Sequence, residues 1–253
     1  MLRPRIIPCL LVTNGGLVKT VNFKNPKYVG DPINAVKIFN EKEVDELIVL
    51  DIDATIKNTE PDYRMISNLA AECRMPLCYG GGIKTVKQIE RVIALGVEKV
   101  SISSSAVKTP NLISEAAKCV GSQSVVVVMD VKKSGIRRRY EVYTNNGTKG
   151  TGLDPAEVAR RVEDYGAGEV VVNSIDSDGE MKGYDLELIS KVREAITLPL
   201  TVLGGAGSIQ DMNDLITHFG IIGAAAGSLF VFKGKYRAVL INYPIPSEKE
   251  LLY

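Results

Sequence analysis

The chain has 253 residues, of which 45% are hydrophobic and 24% are charged, and its formal net charge at pH 7 is +1. This nearly neutral balance argues against nucleic acid as the main partner, because a surface that binds a polyanion needs a clear excess of cations. The four cysteines show no CxxC spacing and no apolar run is long enough to span a membrane. We therefore predict reduced thiols, a cytoplasmic location and no membrane partner.

Short β-branched runs alternate with amphipathic stretches along the whole chain. Eight runs are almost continuously apolar, which is typical of strands that are covered on both faces. These predicted strands are 5–12, 46–51, 77–79, 99–102, 125–131, 169–173, 200–203 and 222–225. The predicted helices between them are 31–42, 62–72, 86–95, 111–119, 154–165, 185–196 and 209–219.

Two insertions and the carboxyl-terminal end interrupt this alternation. Residues 13–30 predict a long polar loop after the first strand. Residues 132–150 follow the fifth strand and predict a hairpin, because the run Tyr140-Glu141-Val142-Tyr143 precedes the turn signal Asn146-Gly147. From about residue 233 the sequence predicts a short extended tail that follows a short eighth helix.

The order of the elements and an internal repeat predict one fold. Eight strands alternating with helices in about 250 residues are typical of a (β/α)8 TIM barrel, here a single domain over residues 1–253. Gly80 and Gly204, like Ser104 and Ser228, are separated by 124 positions. This offset predicts two half-barrels of four βα units each, related by an internal two-fold repeat. A doubly wound open sheet is the alternative, but it would not explain the symmetry.

Residue types exclude some kinds of site. The single histidine, His218, is too few for a histidine-based triad or a multi-histidine metal centre, so we predict no metal and no cofactor. The run Arg137-Arg138-Arg139 is the strongest local cluster of cations, and we interpret it as a solvated loop.

Glycine-rich turns follow the third and the seventh predicted strands, and a turn of small residues follows each next strand. Glycine lets backbone N–H groups approach an oxyanion closely, and serine hydroxyls add further donors. Two such turns on opposite sides of a barrel mouth predict a small-molecule ligand with a phosphate at both ends.

These features resemble one family, the cyclase (synthase) subunit of imidazole glycerol phosphate synthase, over about residues 1–232. The segments that carry the resemblance include Arg5-Ile6-Ile7-Pro8-Cys9-Leu10, Gly80-Gly81-Gly82-Ile83, Ser174-Ile175-Asp176 and Gly204-Gly205-Ala206-Gly207. In that family a glutaminase subunit releases ammonia, which crosses the barrel interior to a bis-phosphate substrate at the opposite mouth. The resemblance therefore implies a heterodimer with a glutaminase subunit.

The resemblance also assigns site residues. It implies phosphate binding on one side of the mouth by Gly82, Ser103 and Ser104, and on the other by Asp178, Gly179, Gly204, Gly205, Gly227 and Ser228. It implies an ammonia gate formed by Arg5, Glu46, Lys99 and Glu169, with neighbouring Glu98 in the glutaminase interface. Without the resemblance, the four gate residues, each standing just before an apolar strand, predict a stabilising ring of ion pairs at the amino-terminal face.

The reaction mouth departs from the family pattern. The family uses two carboxylates as general acid and base, one on strand 1 and one on strand 5. Asp130 occupies the second position, but Leu11 occupies the first and cannot exchange a proton. The catalytic candidates are therefore Asp130 and Lys19, while Asp53 is an extra carboxylate that is either catalytic or a loop cap or ion pair. Further departures are Ser103, Asn173 and Leu203.

A retained entrance with an altered mouth favours a subunit that still receives ammonia but gives it to another acceptor. Residues 232–244 resemble a subgroup of amidotransferase subunits linked to lipopolysaccharide and other surface polysaccharides, where an acetamido group on a sugar becomes acetamidino. The chain has no P-loop motif, so a third, ATP-using protein is expected to activate the sugar. Two alternatives remain: the cyclase, a lyase of histidine biosynthesis, with Asp53 or a water replacing the missing acid, and a non-catalytic scaffold that activates the glutaminase.

Overall fold

A computed structural model describes residues 3–250 and residue 252. The first half of the chain contains β1 (Arg5–Thr13), β2 (Gly16–Val21), β3 (Lys24–Gly30), α1 (Pro32–Glu41), β4 (Leu47–Asp51), α2 (Tyr63–Glu72), β5 (Leu77–Gly80), α3 (Val86–Ala94), β6 (Lys99–Ile102), α4 (Ser104–Lys108) and α5 (Asn111–Val120). The second half contains β7 (Val125–Ser134), β8 (Arg139–Thr144), β9 (Lys149–Gly150), α6 (Pro155–Asp164), β10 (Glu169–Ser174), α7 (Leu186–Arg193), β11 (Leu200–Leu203), α8 (Ile209–Phe219), β12 (Gly223–Ala226), α9 (Ser228–Val231), β13 (Phe232–Lys233), β14 (Ala238–Val239) and α10 (Pro246–Glu250).

Eight parallel strands close into a barrel in the order β1, β4, β5, β6, β7, β10, β11, β12 and back to β1. Helices lie between successive strands, which confirms the predicted (β/α)8 fold. All eight predicted strands are present, and every predicted helix overlaps an observed one. In such a barrel the carboxyl ends of the strands form one mouth, where a site for small molecules is usually built.

The core has two layers because the strands are covered on both faces. Apolar side chains between the sheet and the helices form the larger, outer layer. The inner layer fills the barrel and consists of Ile7, Cys9, Ile48, Cys78, Val126, Val128, Val171, Leu203 and Ala225. Leu11 and Leu50 pack on top of this inner layer at the mouth and are partly exposed there.

Capping boxes begin the two helices that follow the glycine-rich turns. At α3 the Thr85 hydroxyl accepts a hydrogen bond from Gln88 N, and the Gln88 side chain accepts one from Thr85 N. At α8, Ser208 and Asp211 exchange the same pair of bonds. Reciprocal caps of this kind fix where a helix starts, so both halves of the barrel hold their glycine turn against the mouth.

The prediction of a polar loop over residues 13–30 is wrong, because this segment forms a β-hairpin. Strand β2 turns back antiparallel on β1, with Thr13 opposite Gly16, and β3 pairs with β2. The turn between them is made by Asn22 and Phe23, both with positive φ. This hairpin could not be predicted from the sequence, because the first five residues of β3 are exposed and mostly polar. They therefore lack the apolar alternation that identifies a half-buried strand.

The hairpin predicted for residues 132–150 is confirmed. Strand β7 continues past the barrel to Ser134 and pairs antiparallel with β8. Arg137 and Arg138 lie exposed in its turn, and Arg139 is exposed at the start of β8. The following turn passes through Asn145 and Asn146 in the left-handed region and returns the chain to the barrel mouth.

The carboxyl-terminal segment crosses the outside of the barrel. After α9, which follows β12, the short hairpin β13–β14 leads into irregular chain and then into α10. The Tyr243 hydroxyl donates to Ile6 O at 2.9 Å, so the segment reaches the amino-terminal end of β1. No helix within residues 3–250 is long and apolar enough to cross a lipid bilayer.

Candidate functional site

A cavity of about 420 Å³ opens at the carboxyl ends of the barrel strands. It brings together every residue that the sequence assigned to catalysis or phosphate binding. These are Lys19, Gly82, Ser103, Ser104, Asp130, Asp178, Gly179, Gly204, Gly205, Gly227 and Ser228. The sequence reasoning missed other residues that line the same cavity, among them Asp51, Lys84, Lys108, Asn145 and Asn146.

The first glycine turn leaves no room for side chains. At Gly82, where φ is +71°, an added Cβ would lie 2.9 Å from both Ala54 Cβ and Thr59 O. The Ser104 hydroxyl, at the start of α4, accepts a hydrogen bond from Asn145 N at 2.9 Å. Lys84 and Lys108 stand on the exposed rim beside this turn. The turn therefore combines close backbone approach with nearby cations, which suits a phosphate group.

The second glycine turn is even tighter. Gly204 and Gly205 have φ values of +94° and +114°, and an added Cβ at Gly205 would lie 2.1 Å from Gly183 O. The Asp178 carboxylate is occupied by other parts of the protein. It accepts hydrogen bonds from Thr20 Oγ1 at 2.7 Å and from Phe23 N at 3.1 Å. Asp178 therefore ties the β2–β3 hairpin to the wall of the cavity and leaves the adjoining glycine facing the ligand space.

Lys19 extends from β2 into the second side of the cavity. The residue is 5% exposed, and its ammonium donates a hydrogen bond to Cys9 O. Burial lowers the pKa of Lys19. A Cβ added at Gly227 would lie 2.6 Å from Lys19 Nζ, so this ammonium borders the second glycine-and-serine turn directly. A phosphate held there would gain an ammonium donor.

Asp130 stands at the carboxyl end of β7 within the cavity. Its Oδ1 accepts a hydrogen bond from Asn173 Nδ2 at 3.0 Å. Burial raises the pKa of Asp130 to about 7, and the nearby Asp178 carboxylate contributes to the rise against the hydrogen bond from Asn173. A carboxyl group with a pKa near neutrality can both give and take a proton at physiological pH, which is what general acid–base catalysis requires.

The side of the mouth formed by β1 is apolar. Leu11 and Leu50 lie next to each other on β1 and β4 and pack on the inner core, and both line the cavity with Leu203. Asp130 and Asn173 form the polar side on β7 and β10, adjacent strands paired in register. Asn173 Oδ1 is buried and has no hydrogen-bond partner within residues 3–250. The mouth thus offers an apolar wall facing a polar one.

The two acidic residues after β4 have different environments. Asp51 lines the cavity, its Oδ1 accepts from Asp53 N at 2.9 Å, and burial raises its pKa. Asp53 does not line the cavity. Its carboxylate accepts hydrogen bonds from Thr13 Oγ1 and from Lys57 Nζ. This environment favours the ion-pair interpretation of Asp53 over a catalytic one. The run Leu50-Asp51-Ile52-Asp53 places both carboxylates after the same apolar strand, and nothing in it shows which of the two faces the cavity.

The four predicted gate residues form a closed ring of ion pairs at the opposite, amino-terminal end of the barrel. Arg5 contacts both Glu46 and Glu169, the latter at 2.6 Å between Nη2 and Oε1. Lys99 Nζ lies 2.8 Å from Glu46 and 2.9 Å from Glu169. The two glutamates are buried, whereas Arg5 and Lys99 are partly exposed. The ring therefore separates solvent from the apolar interior.

Glu98 lies exposed at the same end of the barrel, next to Lys99 in sequence. Its Oε2 accepts a hydrogen bond from Leu77 N at 2.7 Å, so the carboxylate also fixes the start of β5. No cluster of three or more His, Cys, Asp or Glu side chains suited to a metal ion occurs within the described part of the chain.

Comparison with known proteins agrees with this architecture. The sequence profile described as "Histidine biosynthesis protein" matches residues 5–237. The chain belongs to this family. Within it the chain is similar to HisF-type cyclase subunits: it is 43% identical over 230 residues to the imidazole glycerol phosphate synthase subunit HisF of Alkaliphilus metalliredigens, with 91% of each chain covered.

Relatives with higher identity carry names that are only provisional. A protein of Leptospira interrogans, provisionally named imidazole glycerol phosphate synthase subunit HisF, is 57% identical over 253 residues and all of both chains. One from Vibrio vulnificus, provisionally named subunit hisF3, is 58% identical over 250 residues, 99% of this chain and 96% of the other. The family profile ends at residue 237, so β14 and the segment after it lie beyond the profile.

Proposed function

We propose that this HisF-type protein is the ammonia-receiving synthase subunit of a glutamine-dependent amidotransferase and works in a heterodimer with a glutaminase subunit. The ring of Arg5, Glu46, Lys99 and Glu169 closes one end of an apolar barrel interior whose other end is the ligand cavity. The name imidazole glycerol phosphate synthase subunit, carried by the relatives, supports a role in this class of enzyme. Glu98, on the same face as the ring, is proposed to contact the glutaminase.

Within this proposal the two ends of the barrel have separate tasks. The ion-pair ring admits ammonia, which is neutral and small enough to move among apolar side chains. The glycine turns and Lys19 hold a phosphorylated ligand across the mouth. Asp178, which also lines the cavity, positions Gly179 through its hydrogen bonds from Thr20 and Phe23. Asp130 moves the protons that nitrogen transfer requires.

The observation that supports our choice of acceptor is Leu11. A cyclase of the resembling family needs a carboxylate on β1, but here that strand presents Leu11, beside Leu50 of β4. We therefore propose an acceptor other than the cyclase substrate, namely an acetamido group on a surface-polysaccharide sugar, which becomes acetamidino. The amide oxygen must be activated before ammonia can displace it, and we assign that step to a third, ATP-using protein.

The second candidate is the cyclase of histidine biosynthesis. The names of the relatives favour it, and so does the presence of both glycine turns with a near-neutral carboxyl group between them. In this case a bound water has to replace the acid missing at Leu11, because Asp53 is engaged by Lys57 and Thr13.

A cyclase assay separates the two candidates. The native protein and a Leu11→Asp variant are supplied with saturating ammonia and the bis-phosphate substrate of the cyclase, with Asp130→Asn as the control that removes the remaining carboxylate. We expect no turnover from the native protein. Turnover by Leu11→Asp would show in addition that the glycine turns hold a bis-phosphate. Brisk turnover by the native protein, abolished in Asp130→Asn, would overturn the sugar assignment and establish the cyclase.

A further inference from the structure

The carboxyl-terminal segment 240–250, called the tail below, contacts the amino-terminal end of the barrel at two points. Tyr243 is buried, and its hydroxyl donates to Ile6 O at 2.9 Å while accepting from Asp45 N at 3.2 Å. Lys249 Nζ donates to Asp45 Oδ1 at 2.8 Å and its side chain is only 13% exposed. Both contacts therefore converge on the seam between β1 and β4.

At this seam the two strands are held together by side chains instead of by a backbone ladder. Direct pairing of β1 with β4 begins at Cys9 and Ile48, further along both strands. Nearer the amino-terminal end, Ile6 N donates to Asp45 Oδ2 at 2.9 Å, and the Tyr243 hydroxyl stands between Ile6 O and Asp45 N. The tail thus supplies one of the bridges that close this end of the seam.

The two backbone positions that the tail joins are direct neighbours of ring residues. Ile6 follows Arg5, and Asp45 precedes Glu46. The ion pair between Arg5 and Glu46 spans the same seam from the inside of the barrel. Because a hydrogen bond depends steeply on donor–acceptor geometry, a change in the separation of the two backbones would change the geometry of this ion pair.

We propose that the tail positions the ion-pair ring. Tyr243 and Lys249 hold the amino ends of β1 and β4 at a fixed separation, which keeps Arg5 in contact with Glu46. They are positioning residues, since neither touches the ring itself. A role of the two residues in ammonia uptake rests on the proposed function. The mechanical coupling between the tail and the ring does not depend on the proposed function.

The test uses nuclear magnetic resonance of the full chain without any partner or substrate. In Tyr243→Phe, which removes only the hydroxyl, we expect shifted side-chain signals of Arg5 and Lys99 and amide exchange at Asp45 about tenfold faster, the effect of losing one buried hydrogen bond. The matched control is Tyr236→Phe, because Tyr236 precedes the tail in the same terminal segment but is 92% exposed. A purely structural role would accelerate exchange throughout the protein and leave the ring signals of the folded state unchanged.

A second pair of variants covers the case in which Tyr243→Phe does not fold. Lys249→Met removes the ammonium from Asp45 but keeps the tail tyrosine, and Lys235→Met is its exposed control. A folded Tyr243→Phe or Lys249→Met protein with unchanged Arg5 and Lys99 signals would overturn the coupling. Because no glutaminase and no acceptor enter this measurement, its failure would leave the proposed function standing, and failure of the proposed function would leave the coupling standing.

Discussion

The protonation of Asp130 couples the site to the stability of the whole chain. Burial raises its pKa to about 7, whereas an unfolded aspartate titrates near 4. Between these two values the folded protein binds the proton that the unfolded chain has lost. Asp130 therefore lowers the free energy of unfolding as the pH rises from about 4 to 7, and this cost is complete above pH 7.

Replacing Asp130 with asparagine removes that cost. We expect Asp130→Asn to raise the free energy of unfolding by up to about 4 kcal/mol at pH 8, and by an amount that shrinks towards zero near pH 4. Urea unfolding of both proteins across this pH range measures the difference. A variant that is less stable than the native protein at pH 8 would show that Asp130 is not held at a raised pKa.

For single residues, the sequence shows which side chains can exchange protons, but it does not show which of them face the cavity. Asp130 was predicted from the resemblance, as the second of the family's two carboxylates, and it lines the cavity. Asp51 was missed although it lines the same cavity, because Asp51 and Asp53 are indistinguishable in sequence. Only the packing decides that one carboxylate faces the ligand space while the other pairs with Lys57.

Among the elements, the second glycine turn shows how close packing restricts sequence. We expect Gly205→Ala to destabilise the protein by about 3 kcal/mol, because its Cβ would lie 2.1 Å from Gly183 O and its φ is +114°. The control is Gly220→Ala, where φ is +71° and ψ is −124° and no atom lies within 4 Å of the added Cβ, so backbone strain alone, about 2 kcal/mol, is expected.

Thermal or urea unfolding of the two alanine variants compares these costs directly. Equal losses at Gly205 and Gly220 would mean that backbone conformation alone, and not the contact with Gly183, requires glycine in the turn.

The barrel strands were predictable for a physical reason that does not extend to the hairpins. A strand covered on both faces is apolar along its length, as in Val125–Val131, and the pattern is visible without any tertiary information. Strand β3 carries no such signal, since its first five residues are exposed, and it exists because β2 offers it a partner. The contact of Tyr243 with Ile6 is equally absent from local sequence, because 237 positions separate the two residues.

For the whole molecule, the ion-pair ring makes stability depend on pH in the acid range through Glu169. Burial raises the pKa of Glu169, but the charges of Arg5 and Lys99 outweigh it, so the pKa lies below the ordinary value for glutamate. Glu169 therefore contributes stability above the unfolded value of about 4.3, and that contribution is lost as the pH falls through the lower folded pKa. This trend is opposite to that of Asp130.

We expect Glu169→Gln to cost about 2–3 kcal/mol at pH 7, because Arg5 and Lys99 would then share the single carboxylate of Glu46. The difference from the native protein should shrink as the pH falls towards 3. Urea unfolding at several pH values provides the measurement, and a pH-independent difference would mean that lost packing, not lost charge, causes the destabilisation. Glu115→Gln, at an exposed position on α5, is the control.

The inner layer of the core sets what can travel between the two ends of the barrel. Its nine side chains, from Ile7 to Ala225, are all uncharged, and burial raises the pKa of the Cys9 thiol to about 12 and keeps Cys78 protonated as well. Such an interior discriminates by charge. The free-energy cost of entry is small for a neutral molecule, whereas an ion would lose its hydration without compensation. Ammonium would thus have to shed its proton at the ring before passing, and the barrel would sort two forms of one solute that differ by a single hydrogen.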